Sequence, residues 1–234
     1  MAEATATRSG NILLTAAERM IYSAANYWLV VASDLVGALA FLVAGSRRLS
    51  GSIVVAGVSV IVAFIAWGFV EYAFHRWVLH GRPSIARRGH ARHHADDTAL
   101  IGLPFLAAVS VACTICAILA LVFTVGVACL LVFGFYARYN YYVLVHHLLH
   151  HRDKDLADVA CLARLGRAHR IHHDRHVVNY GVSTTIWDRL LGTFQPTSGP
   201  GAVSRAGDGA FPSSRHRASP HRPDEIGWAS PPRD

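Results

Sequence analysis

Long uncharged runs divide this chain. Leu49 to Val70 carries no charged side chain over 22 residues and ends at Glu71. A helix rises about 1.5 Å per residue and a bilayer core is about 30 Å thick, so ~20 apolar residues cross it once. That run is a predicted span. Thr98 to Ala137 is uncharged for 40 residues, about twice the need, and Thr124-Val125-Gly126 near its middle can form a tight turn, so two spans are expected. An earlier stretch, Tyr27 to Ala44, reads as a further span interrupted by Asp34. A carboxylate at that depth costs ~2.5 kcal/mol or more unless it faces a partner or water.

Four crossings return the chain to its starting side after the second and the fourth, so residues 71–97 and 138–195 share one face. The expected fold is therefore all-α: an integral-membrane four-helix bundle with a helical cap on that face. A first segment, 1–20, precedes the domain at 21–195. From Pro196 onward, seven of the nine prolines occur among Gly, Ser and Arg. Such a composition buries too little apolar surface to fold, and 196–234 is expected to be a disordered tail without a catalytic role.

Composition agrees with a membrane protein: 53% of residues are apolar and 16% charged. The net charge of +7 comes from Arg rather than Lys, and no nucleic-acid motif accompanies it. Arg76, Arg82, Arg87, Arg88 and Arg92 crowd the 71–97 segment, which makes that face cytoplasmic by the positive-inside rule, although Arg47 and Arg48 lie opposite. A bacterial inner membrane fits the Arg-rich usage better than the endoplasmic reticulum. No cleavage site follows the first apolar stretch, so a retained span is expected there rather than a removed signal. Cys113, Cys116 and Cys129 sit inside an apolar run, where thiolate chemistry is disfavoured, and read as small core residues.

The candidate chemistry lies in the histidines. Of 15, 13 fall between His75 and His176, in four groups. These are His75-x4-His80, His90-x2-His93-His94, His146-His147-x2-His150-His151, and His169-x2-His172-His173 followed by His176. Neutral imidazole is a strong ligand for iron and zinc and a poor lipid-facing residue. Positions i, i+3 and i+4 share one helix face, so each His-x-x-His-His box is expected to present three nitrogens to one point. His146 and His150 add two. His75 and His80 are separated by about 140° of ideal helix, so either the helix loosens there or His80 lies beyond its end, where Gly81 and Pro83 stand. The count is ten candidate ligands: His75, His80, His90, His93, His94, His146, His150, His169, His172 and His173. That is too many for one metal ion and suits two. His147, His151 and His176 stand as structural or supporting residues equally well, and the tail residues His216 and His221 as neither.

From Glu71-Tyr-Ala-Phe-His-Arg-Trp-Val-Leu-His80 through both His-x-x-His-His boxes to Asn179-Tyr-Gly-Val-Ser-Thr-Thr-Ile-Trp-Asp-Arg-Leu-Leu-Gly-Thr-Phe194, the sequence resembles the fatty acid hydroxylase and sterol desaturase superfamily of membrane di-iron enzymes. The resemblance spans about 120 residues. It implies the same ten histidines as ligands of two iron ions, with zinc an alternative occupant. The third box permits His146/His150, His147/His151 or His146/His151. The last box also resembles that of the carotenoid hydroxylases.

An unactivated C–H bond is beyond any side chain, and no Rossmann, haem or flavin motif is present, so the histidine site must hold the oxidant. No catalytic side chain beyond the metal ligands is expected. The substrates would be a lipid, such as a fatty acyl chain or sterol-like ring, and O2, with hydroxylation or desaturation as outcome. The 234 residues leave no room for a fused redox domain, so electrons are expected from a separate ferredoxin or cytochrome with its reductase. Glu71, Asp96, Asp97, Asp174 and Asp188 are candidates to orient imidazoles, Glu71 foremost. Phe74, Trp77, Tyr180 and Trp187 are expected as membrane-interface anchors rather than channel lining. Two readings compete. A metal transporter would place ligands at mid-membrane, where only Asp34 stands, and a zinc hydrolase would need a carboxylate within a box.

Overall fold

The computed structural model describes residues 19–49, 51–152, 156 and 158–196. The expected segment 1–20, except its last two residues, and the expected tail from 196, except its first, lie outside the described residues, as do His216 and His221.

Every regular element among the described residues is helical. Helix α1 spans Ala24–Arg47 and α2 spans Ile53–Phe74, continued by one π-helical turn at His75–Leu79. Then follow α3 (Ile85–Ala95), α4 (Ala107–Leu119), α5 (Val125–His151), α6 (Ala160–Asp174) and the short α7 (Ile186–Leu190). Hydroxyls start four of them: Ser23, Ser52, Ser84 and Thr124 each accept a backbone N–H from the first turn. That satisfies a donor the helix leaves unpaired.

Three stretches are long and apolar enough to cross a membrane: Ala24–Arg47, Ile53–Leu79 and Val125–His151. Their outer faces are greasy, with Leu35, Val36, Ile53, Val54, Ile61 and Ile65 all exposed. Such surface suits lipid and would be an aggregation hazard in water. The expected turn in the 40-residue run is present, since α4 ends at Leu119 and α5 starts at Val125. The first half differs from expectation. Its helix has only 13 residues, about 20 Å of rise, because residues 98–106 are not helical. Pro104 interrupts that stretch, and the buried Asn26 side chain grips it, donating to the Leu103 carbonyl at 2.8 Å and accepting from the Phe105 N–H at 3.1 Å. Hydropathy cannot distinguish an apolar helix from an apolar extended segment.

Helix α5 packs along both α1 and α2. Its contact with α2 is close: a Cβ on Gly134 would lie 2.4 Å from the Val60 carbonyl oxygen, so only glycine fits. Asp34, expected as a costly intrusion, is buried against α5 and accepts a short hydrogen bond from the Tyr136 hydroxyl.

Alternating helix directions put the start of α1 and the ends of α2 and α5 at one end of the bundle. There the Tyr27 hydroxyl meets His147 Nδ1 at 3.0 Å; at the other end the Arg48 backbone abuts Gly126. With 27 residues, α5 is about 40 Å long, longer than a bilayer core, so its histidine-bearing last turns overshoot. Helices α3 and α6 pack at that same end and carry the remaining boxes.

Candidate metal centre

The two proposed explanations of His75-x4-His80 turn out to be one. The chain loosens into a π turn over His75–Leu79, and His80, just beyond it, donates its N–H to the His75 carbonyl at 3.1 Å. An i→i+5 bond turns the helix through five residues where an α-helix turns through fewer, so residues five apart align. The two rings come within 5.1 Å of each other. Gly81 closes the turn, since a Cβ there would lie 1.8 Å from the Trp77 carbonyl oxygen.

Ten imidazoles converge in two groups of five. His75, His80, His90, His94 and His172 form cluster 1; His93, His146, His150, His169 and His173 form cluster 2. In each, one nitrogen per residue lies within 4.8 Å of all the others. These are the ten residues singled out by spacing, but the expectation that each His-x-x-His-His box serves one point is corrected. The i and i+4 members stay together, His90 with His94 and His169 with His173, while the i+3 members His93 and His172 cross to the other cluster. Helical rotation accounts for it: i+3 and i+4 diverge by about 100°, flanking the direction of residue i. Each cluster thus takes a pair from one long helix end, a pair from one box and a single histidine from the other box.

Within cluster 1, His90 Nε2 lies 3.0 Å from His75 Nε2 and 2.9 Å from both His80 Nε2 and His94 Nε2. A ring nitrogen has one in-plane position, holding either a hydrogen or a lone pair, so three such contacts cannot all be hydrogen bonds. The tautomers sharpen this. His75 Nδ1 is 2.5 Å from the Tyr180 carbonyl and His172 Nδ1 is 2.8 Å from that of Val178. A carbonyl only accepts, so both Nδ1 atoms carry the hydrogen and both Nε2 atoms point bare lone pairs into the cluster. Cluster 2 repeats the pattern, with His146 Nε2 3.1 Å from His93 Nε2, and His169 Nε2 2.9 Å from His150 Nε2 and 3.2 Å from His173 Nε2. Converging lone pairs fit cations at the two centres.

Burial keeps these imidazoles neutral. It pushes His80, His93 and His172 down to about 4, and His90, His94, His169 and His173 are likewise lowered by burial and by neighbouring imidazoles. Neutral imidazole is the ligating form.

The support around cluster 1 is mostly backbone. The loop at 178–183 supplies the two accepting carbonyls and is clamped from two sides. Asp188, fully buried, accepts from the N–H groups of Tyr180 (2.7 Å) and Gly181 (2.8 Å) and from the Thr193 hydroxyl. Glu71 accepts from the N–H groups of Val182 and Ser183, each at 2.8 Å, and from the Ser183 hydroxyl. Glu71 therefore acts on His75 through a loop and not by touching its ring. Asn179, buried in a left-handed conformation (φ 52°), ties the loop to Ala168 and Gln195. Spacing could not reveal carbonyl partners, because every residue has one.

The other supporting candidates separate. Asp97 lies 3.9 Å from His150 Nδ1. Asp96 instead closes α3, accepting from the Thr98 N–H and hydroxyl. Asp174 is exposed and receives no imidazole N–H among the described residues. His176 sits at the rim, 4.4 Å from the His94 ring, bonded to the His173 carbonyl. His147 and His151 stack on each other outside both clusters, so of the three third-box pairings the structure gathers His146/His150. Trp77 and Phe74 are exposed, as anchors would be, whereas Tyr180 is buried within 5.7 Å of the rings of His75, His80 and His172. Tyr180 belongs to the site and not to the interface.

A family model described as fatty acid hydroxylase matches residues 60–193. The fold is similar to that of full-length Scs7p, in which only the hydroxylase domain is visible: the TM-score is 0.60 at 18% identity, covering 78% of this chain and 71% of that one. Among curated proteins none matches significantly.

Proposed function

Since the chain belongs to the fatty acid hydroxylase family, we propose that it is a multi-pass membrane enzyme holding two irons in the two histidine clusters and using O2 to hydroxylate an acyl or sterol-like lipid. The observation that carries this reading is the set of imidazole lone pairs converging at two adjacent points, an arrangement that five rings cannot satisfy among themselves. Iron bound there supplies the redox chemistry that lets O2 attack an unactivated C–H bond.

The residues of the chain do the rest. His75, His80, His90, His94 and His172 would hold one ion, and His93, His146, His150, His169 and His173 the other. The Val178 and Tyr180 carbonyls keep His172 and His75 in the ligating tautomer, and Glu71 and Asp188 keep those carbonyls in place. Lipid reaches the site from the bundle end that overshoots the bilayer, because both clusters stand at that end of apolar helices. Electrons come from a separate ferredoxin- or cytochrome-type protein. The exposed Arg82, Arg88, Arg92, Arg164 and Arg167 surround the clusters with positive charge suited to an acidic donor and to a cytoplasmic orientation. That orientation fits a bacterial inner membrane.

Metal content by mass spectrometry on detergent-purified protein, with products formed under isotopically labelled O2, tests the proposal. About two irons per chain and a lipid carrying labelled oxygen are expected. Stoichiometric zinc with no oxygen uptake would overturn the oxygenase reading. A labelled carotenoid as the only product would move the substrate class.

A further inference from the structure

One face of α5 carries Tyr136, Tyr139, Tyr142 and His146, spaced so that each ring lies one turn from the next. The rings are in sequence: His146 stacks on Tyr142 at 5.7 Å, Tyr142 faces Tyr139 at 6.5 Å, and Tyr139 stacks on Tyr136 at 5.8 Å with planes 16° apart. At the far end the Tyr136 hydroxyl donates its short hydrogen bond to Asp34 of α1, a carboxylate only 2% exposed inside a span. Trp67 of α2 packs against Tyr139 at 5.3 Å.

Packing alone does not call for this. Phenylalanine fills the same volume without a hydroxyl to satisfy in an apolar medium, and an intramembrane carboxylate is costly unless it has work to do. Three phenols in single file, from a cluster 2 ligand to a buried base, are instead the parts of a path for oxidising equivalents. Electrons tunnel readily between rings in near contact. A phenol that loses an electron becomes a strong acid and must pass on its proton, and the Asp34 carboxylate stands as acceptor at the Tyr136 end of the file, hydrogen-bonded to Tyr136 and within reach of Tyr139 as well.

We propose that Tyr142, Tyr139 and Tyr136 form a hole-transfer relay from cluster 2 to Asp34, which drains oxidising equivalents when O2 reacts without lipid in place. Tyr142 gives one electron to the oxidised centre, which is reduced by one. Tyr139 refills Tyr142, and Tyr136 refills Tyr139. The Tyr136 O–H bond then breaks, its proton passes to the Asp34 carboxylate, and a neutral tyrosyl radical remains. One electron from the enzyme's own electron donor, passed back along the same rings from cluster 2, with the proton returned from Asp34, restores the phenol. The relay rests on the proposed redox-metal function.

The test is freeze-quench electron paramagnetic resonance on reduced, iron-loaded protein mixed with O2 in the absence of lipid, with iron content and oxygen uptake measured on the same sample. A tyrosyl signal is expected in the unaltered protein. Tyr136→Phe should abolish it or move it to a differently split tyrosine. Asp34→Asn, which keeps the shape, should lower its yield at least tenfold. Peptide mass spectrometry should then show more oxidised histidine at cluster 2 in both variants. Two irons and oxygen uptake without any tyrosyl signal would overturn the relay alone, as would signals unchanged by both substitutions. Absence of iron and of oxygen uptake would overturn the functional reading and the relay with it.

Discussion

The two clusters have the same inventory of imidazoles and different surroundings. Cluster 1 leans on a loop: two of its imidazoles donate to backbone carbonyls, and buried Glu71 and Asp188 hold that loop from opposite sides. Cluster 2 leans on helices. Its His150 faces Asp97, a carboxylate 56% exposed and 3.9 Å away, while the buried His169 Nδ1, like His94 Nδ1 of cluster 1, meets no hydrogen-bond partner among the described residues. A ligand oriented by fixed backbone dipoles depends on distant residues that hold the backbone. A ligand oriented by its own helix depends mainly on that helix. Cluster 1 should therefore respond to remote substitutions and cluster 2 should not.

The largest effects should come from the histidines that exchange between boxes. His93 and His94 are neighbours on α3 but serve different clusters. His93→Ala combined with His94→Ala should lose both metals, whereas His93→Ala combined with His146→Ala, both in cluster 2, should lose one. Metal counts per chain decide this, and equal losses in the two double variants would break the partition. Next, Glu71→Gln aims an amide N–H at backbone donors and removes the negative charge near Arg138. Remote support of this kind is worth roughly 10–100-fold in metal affinity, so competition with a chelator should show one of the two metals released that much more readily. Equal weakening of both would erase the contrast.

Acid should act on the metal-stripped protein. His80, His93 and His172 sit near 4 in the fold because burial disfavours their charged form, against 6.5 ordinarily. Between those values the unfolded chain binds protons that the fold does not, so stability falls as pH drops from about 6.5, and it keeps falling below about 4 because the buried His90, His94 and His173 are lowered further. Denaturant midpoints across that range measure it, and a flat profile would contradict it. The smallest effect belongs to Asp97→Asn: an exposed carboxylate at that distance contributes little, and metal affinity should change less than about threefold.

Much of this was legible in advance because it depends on local periodicity. The span at Leu49–Val70, the turn at Thr124 and the ten histidines all follow from helical geometry acting on neighbouring residues. What eluded such reading is instructive in the same terms. The short α4 depends on Asn26 gripping residues 103–105 from 77 residues away. Glu71 stands out in the sequence, but its partners lie more than a hundred residues along the chain. Tyr180 reads as an interface anchor because an aromatic near a membrane does not reveal which way it faces.

The sequence by itself marked three of the four expected spans and the imidazoles that gather at one end, since charge-free length and i, i+4 spacing are properties of a single helix in an apolar solvent. Tertiary structure decided how those imidazoles divide. His93 and His94 differ by one step along the chain and by about 100° around it, and only the positions of the facing helices assign each direction to a centre.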